Sequence, residues 1–255
     1  MRLTTLGTGT VALTAERACA SHYLVAGDVR LLMDVGSGAC LRLAREGIAW
    51  GEITHVAFTH FHTDHISDYA TLVQAWRHGQ LPARSAPLTV VGPAGIAGLL
   101  ARIATMHGDW VTAPGFPVHV VELAPGASHD LGDGVVISAT KVPHSDESIA
   151  LSVARGGRRV VYTGDTAYDP MFAEWARGAD LLLCECSLPE EMAVASHLTP
   201  AQCGAIAAAA LPRHFVLTHF YPPVERADIR AIIAAHYAGP ITLAADGSTF
   251  EIEED

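Results

Sequence analysis

The stretch FTHFHTDHISDY, residues 58–69, places His60, His62, Asp64 and His65 directly after the apolar run ITHVAFT. That run is rich in β-branched and aromatic residues and reads as a buried strand. The chain must therefore bury a strand and present three imidazoles and a carboxylate where it ends. A polar loop that happens to be rich in histidine is the plain alternative. In an extended turn, residues two apart point the same way, so His60 and His62 can grip one cation. Asp64 and His65 fall at the start of the following helix, roughly 64–78, with Asp64 as its N-cap, and point toward a neighbouring position. A mixed oxygen and nitrogen set suits zinc, with manganese or iron as alternatives. Three ligands per cation leave room for water, the mark of a catalytic rather than a closed structural site.

Other strand ends carry the same chemistry. VVISATKVPHS ends at His144, RRVVYTGDT at Asp165 and HFVLTHFYPP at His219. Open α/β architectures gather site residues at strand ends. The order of elements supports such an architecture. RLTTLG, HYLVA and VRLLMDVG read as strands, and ACLRLAREG as a helix ending at Gly47. LTVVG is a strand, followed by a helix after Pro93. Residues 117–163 are mostly strands. Helices and strands alternate again from 170 to the end. A β-rich then αβ order, given twice, predicts two similar halves, each a sheet covered by helices on one face.

With 255 residues, half of them hydrophobic, the chain can bury a substantial core. Charged residues make up only 17%, the formal net charge is −11, and Lys141 is the only lysine. Such a chain does not hold extended nucleic acid or an anionic membrane through its bulk field. A local basic pocket or bound cations could still attract an anion. MRLTTLGTGTVAL lacks the basic and apolar regions of a signal peptide, and no apolar run approaches the roughly 20 residues of a membrane span. The expected location is the cytoplasm. Five cysteines without a CxxC pair argue against a disulfide framework or a cysteine-rich zinc site. Cys184 and Cys186 read as small buried hydrophobes.

THFHTDH resembles the signature of the metallo-β-lactamase superfamily. The likeness runs along the chain through LGTGT, DVGSG, TGDT, THF and AADGSTFEI. It implies a four-layer αββα sandwich, with residues 1–255 as a single domain of two similar αβ halves. Carried over by motif, His60, His62 and His144 would hold one metal. Asp64, His65 and His219 would hold a second, and Asp165 would bridge. The implied cofactors are two divalent ions, zinc foremost. Together they would lower the pKa of a shared water, so that hydroxide exists near neutral pH, and stabilise negative charge on the substrate.

Two further segments resemble the ribonuclease Z-like branch of that superfamily. Glu185 lies in LLLCECSLPEE and His197 in SHLTPAQCGAIA. In that branch a glutamate orients a histidine that protonates the leaving oxygen, as a poor alkoxide leaving group requires. The alternative is a surface His197 capping a helix and Glu185 in a structural ion pair. Members that process tRNA carry an inserted arm between the segments matching His144 and Asp165. Here twenty residues separate those positions and read as two plain strands. Arg155, Arg158 and Arg159 form a small cluster there, read as solvated. The expected substrate is therefore a small phosphodiester of cyclic nucleotide or cyclic phosphate type. Lactonase, thioesterase, other carboxylic-ester or sulfatase-like hydrolysis is the main alternative. Ribonuclease Z-like RNA processing and metal-bearing binding without turnover stand behind it. The branch often dimerises, which makes a homodimer the expected assembly.

LGTGT lacks the downstream G-K-[ST] of a phosphate loop. Gly7 and Gly9, and Gly36 and Gly38 after Asp34, are expected to turn the backbone tightly beside the site. Asp34 is expected to be a buried supporting carboxylate. Tyr221 either lines the pocket or packs. The chain has neither a G-x-S-x-G elbow nor an H-E-x-x-H helix, so serine-nucleophile and zincin mechanisms have no support.

Overall fold

The computed structural model describes residues 1–253; the last two residues of the expected 1–255 unit lie outside them. Two seven-stranded mixed sheets face each other. The first takes β1 (Arg2–Gly7), β2 (Ser21–Ala26), β3 (Val29–Met33), β4 (His55–Ala57), β5 (Leu88–Gly92) and β6 (Val118–Glu122). The second takes β7 (Ser128–Gly132), β8 (Val135–Lys141), β9 (Ile149–Arg155), β10 (Arg158–Tyr162), β11 (Leu181–Glu185), β12 (His214–Thr218) and β13 (Ile241–Leu243). The last strand, β14 (Thr249–Glu251), returns to the first sheet and pairs antiparallel with β1. Strands β3 to β6 run parallel, as do β10 to β13.

Alternation along the strands builds three apolar layers. Leu31, Met33, Ile137, Leu151, Val160 and Val216 fill the space between the sheets. Helices α1 (Ala39–Arg45), α2 (Thr63–Ile66), α3 (Tyr69–Gln74) and α4 (Ile96–His107) belong to the first half, and Leu43, Leu72 and Leu99 pack there with Leu32, Val56 and Val90. Helices α5 (Pro170–Trp175), α6 (Pro200–Ala210) and α7 (Ile229–Ala234) belong to the second, where Phe172, Ile206 and Ile233 meet Leu182, Phe215 and Leu217. Each such side chain contributes roughly 1.5–3 kcal/mol when fully buried. The result is the αββα sandwich expected from the sequence. No described helix is long and apolar enough to cross a membrane.

Three local expectations are corrected. The helix expected at 64–78 is α2, α3 and a wide turn at Ala75–Gly79. The break comes at Asp68, whose Oδ2 accepts from the backbone N–H groups of Gly38 and Cys40 at the start of α1. Asp64 is not a cap: it lies inside α2, behind His62, and makes no capping bond. The three hairpin arginines are solvated only in part: Arg158 is buried, and each has a partner. Arg155 pairs with Asp133, Arg158 with Asp180, and Arg159 lies over the Trp175 ring. Strand β7, SHDLG, has a single apolar residue and is held at the sheet edge by antiparallel pairing with β8.

The glycines act mainly through close approach. A Cβ on Gly7 would lie 1.8 Å from the Cys19 carbonyl oxygen, and one on Gly36 2.0 Å from the Asp64 carbonyl oxygen. Of the four, only Gly38 has a left-handed backbone, at φ 92°. Backbone cannot yield as a flexible side chain can. G36A is therefore expected to destabilise by about 1–3 kcal/mol, the usual cost of overpacking. At roughly 2–4 °C per kcal/mol, thermal denaturation reads this easily. An unchanged melting temperature would contradict the packing described.

Candidate metal centre

The C-terminal ends of the parallel strands deliver their following residues to one rim. Asp34 follows β3, Thr59 and His60 follow β4, Asp165 follows β10, Glu185 ends β11 and His219 follows β12. His144 arrives from the loop after β8. Asp34 and His219 both have left-handed backbones, at φ 56° and φ 60°. A side chain in that region costs on the order of 1–3 kcal/mol, which surrounding contacts must offset.

All seven side chains singled out by the sequence come together, in two overlapping groups. The first is His60, His62, His144 and Asp165; the second is Asp64, His65, Asp165 and His219. Asp165 belongs to both. Its Oδ2 lies 3.7 Å from His60 Nε2 and 3.7 Å from His144 Nε2. Its Oδ1 lies 3.2 Å from His65 Nε2 and 3.3 Å from His219 Nε2. Asp64 Oδ2 completes the second group, 3.5 Å from His219 Nε2.

Hydrogen bonds outside the ring settle which nitrogen faces inward. His65 Nδ1–H donates to Asp34 Oδ2 at 2.8 Å, and His144 Nδ1–H to the Ser196 carbonyl at 2.9 Å. Thr59 Oγ1 donates to Asp34, so it accepts from His60 Nδ1–H at 3.0 Å. Ser187 Oγ donates to Glu185, so it accepts from His219 Nδ1–H at 2.9 Å. Four imidazoles are thus held by Nδ1 with Nε2 turned toward the centre, free to ligate a cation once that nitrogen is unprotonated. His62 presents Nδ1 instead, 3.1 Å from His60 Nε2 and 3.0 Å from His144 Nε2.

Imidazole nitrogens this close need a proton or a cation between them. Two nitrogens about 2.0–2.1 Å from a tetrahedral zinc lie roughly 3.3 Å apart, close to the spacing here. His65 Nε2, His219 Nε2 and Asp165 Oδ1 are buried without a hydrogen-bond partner. Orphaned polar atoms of this kind are costly unless a water or ion satisfies them. Burial holds His60 far below the usual imidazole range, and also lowers His144. Burial works against ionising Asp165, but His219 and His65 in their protonated forms outweigh it and hold the carboxyl well below its usual range. Burial likewise opposes charge on His65, and Asp165 and Asp34 raise its pKa, so the pocket calls for positive charge, from protons or from a cation. The His/Asp cluster is therefore compatible with metal binding.

Asp34 is the supporting carboxylate expected from the sequence. It is fully buried and accepts from Thr59, His65 and, at 3.0 Å, the Tyr162 hydroxyl from the opposite sheet. Glu185 and His197 meet as expected, with Nδ1 3.1 Å from Oε1. Helix α6 is capped by Thr199, in a capping box with Gln202, so His197 is not its cap. Burial opposes charge on His197, but the hydrogen bond and charge of Glu185 outweigh it and raise its pKa. The His197 ring stacks on His219, with centroids 5.6 Å apart. His197 opens to a cleft of about 430 Å³ that also receives Val11, Phe61, Asp165 and Tyr221. Tyr221 thus lines the cleft. Sequence reasoning missed Ser187, which links Glu185 to His219. Its position two residues after Glu185 at a strand end was the available signal.

The description "Beta-lactamase superfamily domain" fits residues 30–220. Ribonuclease Z of Mycobacterium sp. (strain KMS) is 30% identical over 279 residues, covering 99% of this chain and 96% of the relative. Among solved structures, the metallo-beta-lactamase fold protein YhfI of Bacillus subtilis superposes with a TM-score of 0.84 at 22% identity, over 98% of each chain. Human tRNase Z, short form, does so at 0.80 and 24% identity, over 99% of this chain and 100% of the other. The chain belongs to the metallo-β-lactamase superfamily. Within it, the chain is a metal-dependent hydrolase whose relatives are ribonuclease Z-like.

Proposed function

We propose that this hydrolase cleaves small phosphodiesters, of the cyclic nucleotide or cyclic phosphate type. Its cofactors are two divalent cations, zinc foremost and manganese or iron as alternatives. His60, His62 and His144 would hold one cation and Asp64, His65 and His219 the other, with Asp165 shared by both groups. When bound, the cations activate water and neutralise charge on the phosphoryl oxygens. The observation that carries the reading is the Glu185–His197 pair at the wall of the same cleft. His197 donates a proton to the departing alkoxide, and Glu185 fixes its ring and stabilises the protonated form. Asp64 serves both as a ligand and in orienting the attacking water. Attack on a carboxylic ester stabilised by metal needs such a donor less, so the pair favours phosphodiesters over lactones and thioesters.

RNA processing is the second reading, because the relative named ribonuclease Z aligns along nearly its whole length. Against it, β9 and β10 form a plain hairpin with no inserted arm, and the net charge is −11. The deciding experiment is hydrolysis of bis(p-nitrophenyl) phosphate by zinc- and manganese-loaded protein, with a chelator control and a precursor tRNA in parallel. Metal-dependent release of p-nitrophenol, without trimming of the tRNA, is expected. Failure of the fully metallated protein on this diester, with turnover of a lactone or thioester, would overturn the reading.

A further inference from the structure

We infer that a second cleft beside the metal centre receives the nucleobase of the substrate, with Lys141 and Asp146 reading its edge. This rests on the phosphodiesterase reading above and names the part of the substrate away from the scissile bond. The cleft, about 480 Å³, shares His144 and Ser196 with the cleft over the His/Asp cluster. A ligand with its phosphate at the cluster can therefore straddle that rim and extend into the second space.

The lining decides what fits. Lys141, the only lysine in the chain, lines the cleft. Its ammonium donates to the carbonyls of Ser145 at 2.6 Å and Ser148 at 3.2 Å. An ammonium has three donors, so one is left for a ligand. Asp146 is exposed and lines the same cleft. Pro143 and Ala195 add apolar surface to the lining. One cation and one anion give a site with no net charge. A second phosphate would meet the Asp146 carboxylate at a cost. A base offers both what the cleft lacks and what it can use: a ring edge with an acceptor for Lys141 and an amino or imino donor for Asp146, and flat faces for Pro143 and Ala195.

Calorimetric titration of the zinc-loaded protein tests this without relying on turnover. The probes are the four common ribonucleoside 5′-monophosphates and ribose 5-phosphate, which lacks the base. At least one nucleotide is expected to bind about tenfold more tightly than ribose 5-phosphate, the worth of one good charged hydrogen bond. That margin should fall to within about twofold in both K141M and D146N. If Lys141 only tethers the loop that carries His144, K141M weakens all probes alike and the margin survives, which overturns the assignment. Equal binding of all probes, or no binding, overturns it too. If ribose 1,5-bisphosphate outbinds the nucleotides and D146N tightens it further, the cleft takes a second phosphate and the base assignment falls. The phosphodiesterase reading fails separately, by absent diester turnover.

Discussion

D165N lowers turnover by about 10³-fold or more and leaves the protein short of metal. Asp165 turns one oxygen toward His60 and His144 and the other toward His65 and His219. An asparagine keeps the shape but replaces one of those oxygens with an NH₂ group. Its hydrogens would point at imidazole nitrogens on one side, where a cation belongs. The lost negative charge also removes what offsets positive charge in a nearly solvent-free pocket. A thousandfold loss corresponds to roughly 4 kcal/mol in the barrier. The check is metal content by emission spectrometry together with kcat/KM on bis(p-nitrophenyl) phosphate. A variant that retained full metal and activity would remove Asp165 from the centre of the site.

H197A has a different expected signature. Phosphodiester turnover falls about 10²- to 10⁴-fold, the usual range for loss of a general acid, while metal content stays at the unsubstituted level. The geometry separates the two variants. His197 stands at the cleft wall, bonded to Glu185, and is in neither of the two groups that share Asp165. Diesters with a good leaving group such as p-nitrophenolate need less protonation and should lose least. Diesters with an alkoxide leaving group should lose most. Loss of metal along with activity would show that His197 supports the centre rather than donating a proton, and would sink the assignment.

The legibility of this site in the sequence follows the range of its interactions. His60, His62, Asp64 and His65 are neighbours in the chain, and local geometry alone suggested a shared purpose. His144, Asp165 and His219 lie far apart, but each follows an apolar strand, and parallel strands bring their ends to one rim. Asp34 could be read as buried behind the site for the same reason. The partners of Asp34 could not. Tyr162 reaches it across 128 positions of chain, from the other sheet. Nothing in the pattern around RRVVYTG marks its hydroxyl as different from any core tyrosine. The same applies to Arg158, which looks solvated in a basic hairpin but is buried against Asp180. Its partner lies beyond an intervening helix, and pairing of that kind depends on how the elements dock.

The broken helix after the histidine turn shows a local signal overridden from outside. Residues 64–78 have acceptable helical character throughout. Asp68, however, takes up the backbone donors at the start of α1, thirty positions earlier. The chain gives up helical continuity there and gains a fixed junction between two helices beside the site.

Asp34 belongs to the first sheet and Tyr162 to the second, and the ring of seven residues is drawn from both. The molecule is thus riveted at one rim, and a cation lodged there would act as the rivet. Its binding free energy would add to cohesion between the halves, growing with free metal as RT ln(1 + [M]/Kd), or about 4 kcal/mol at a thousandfold excess over Kd. Durability and competence would then rise and fall together. A cell that starved this chain of metal would hold a protein both idle and easier to degrade.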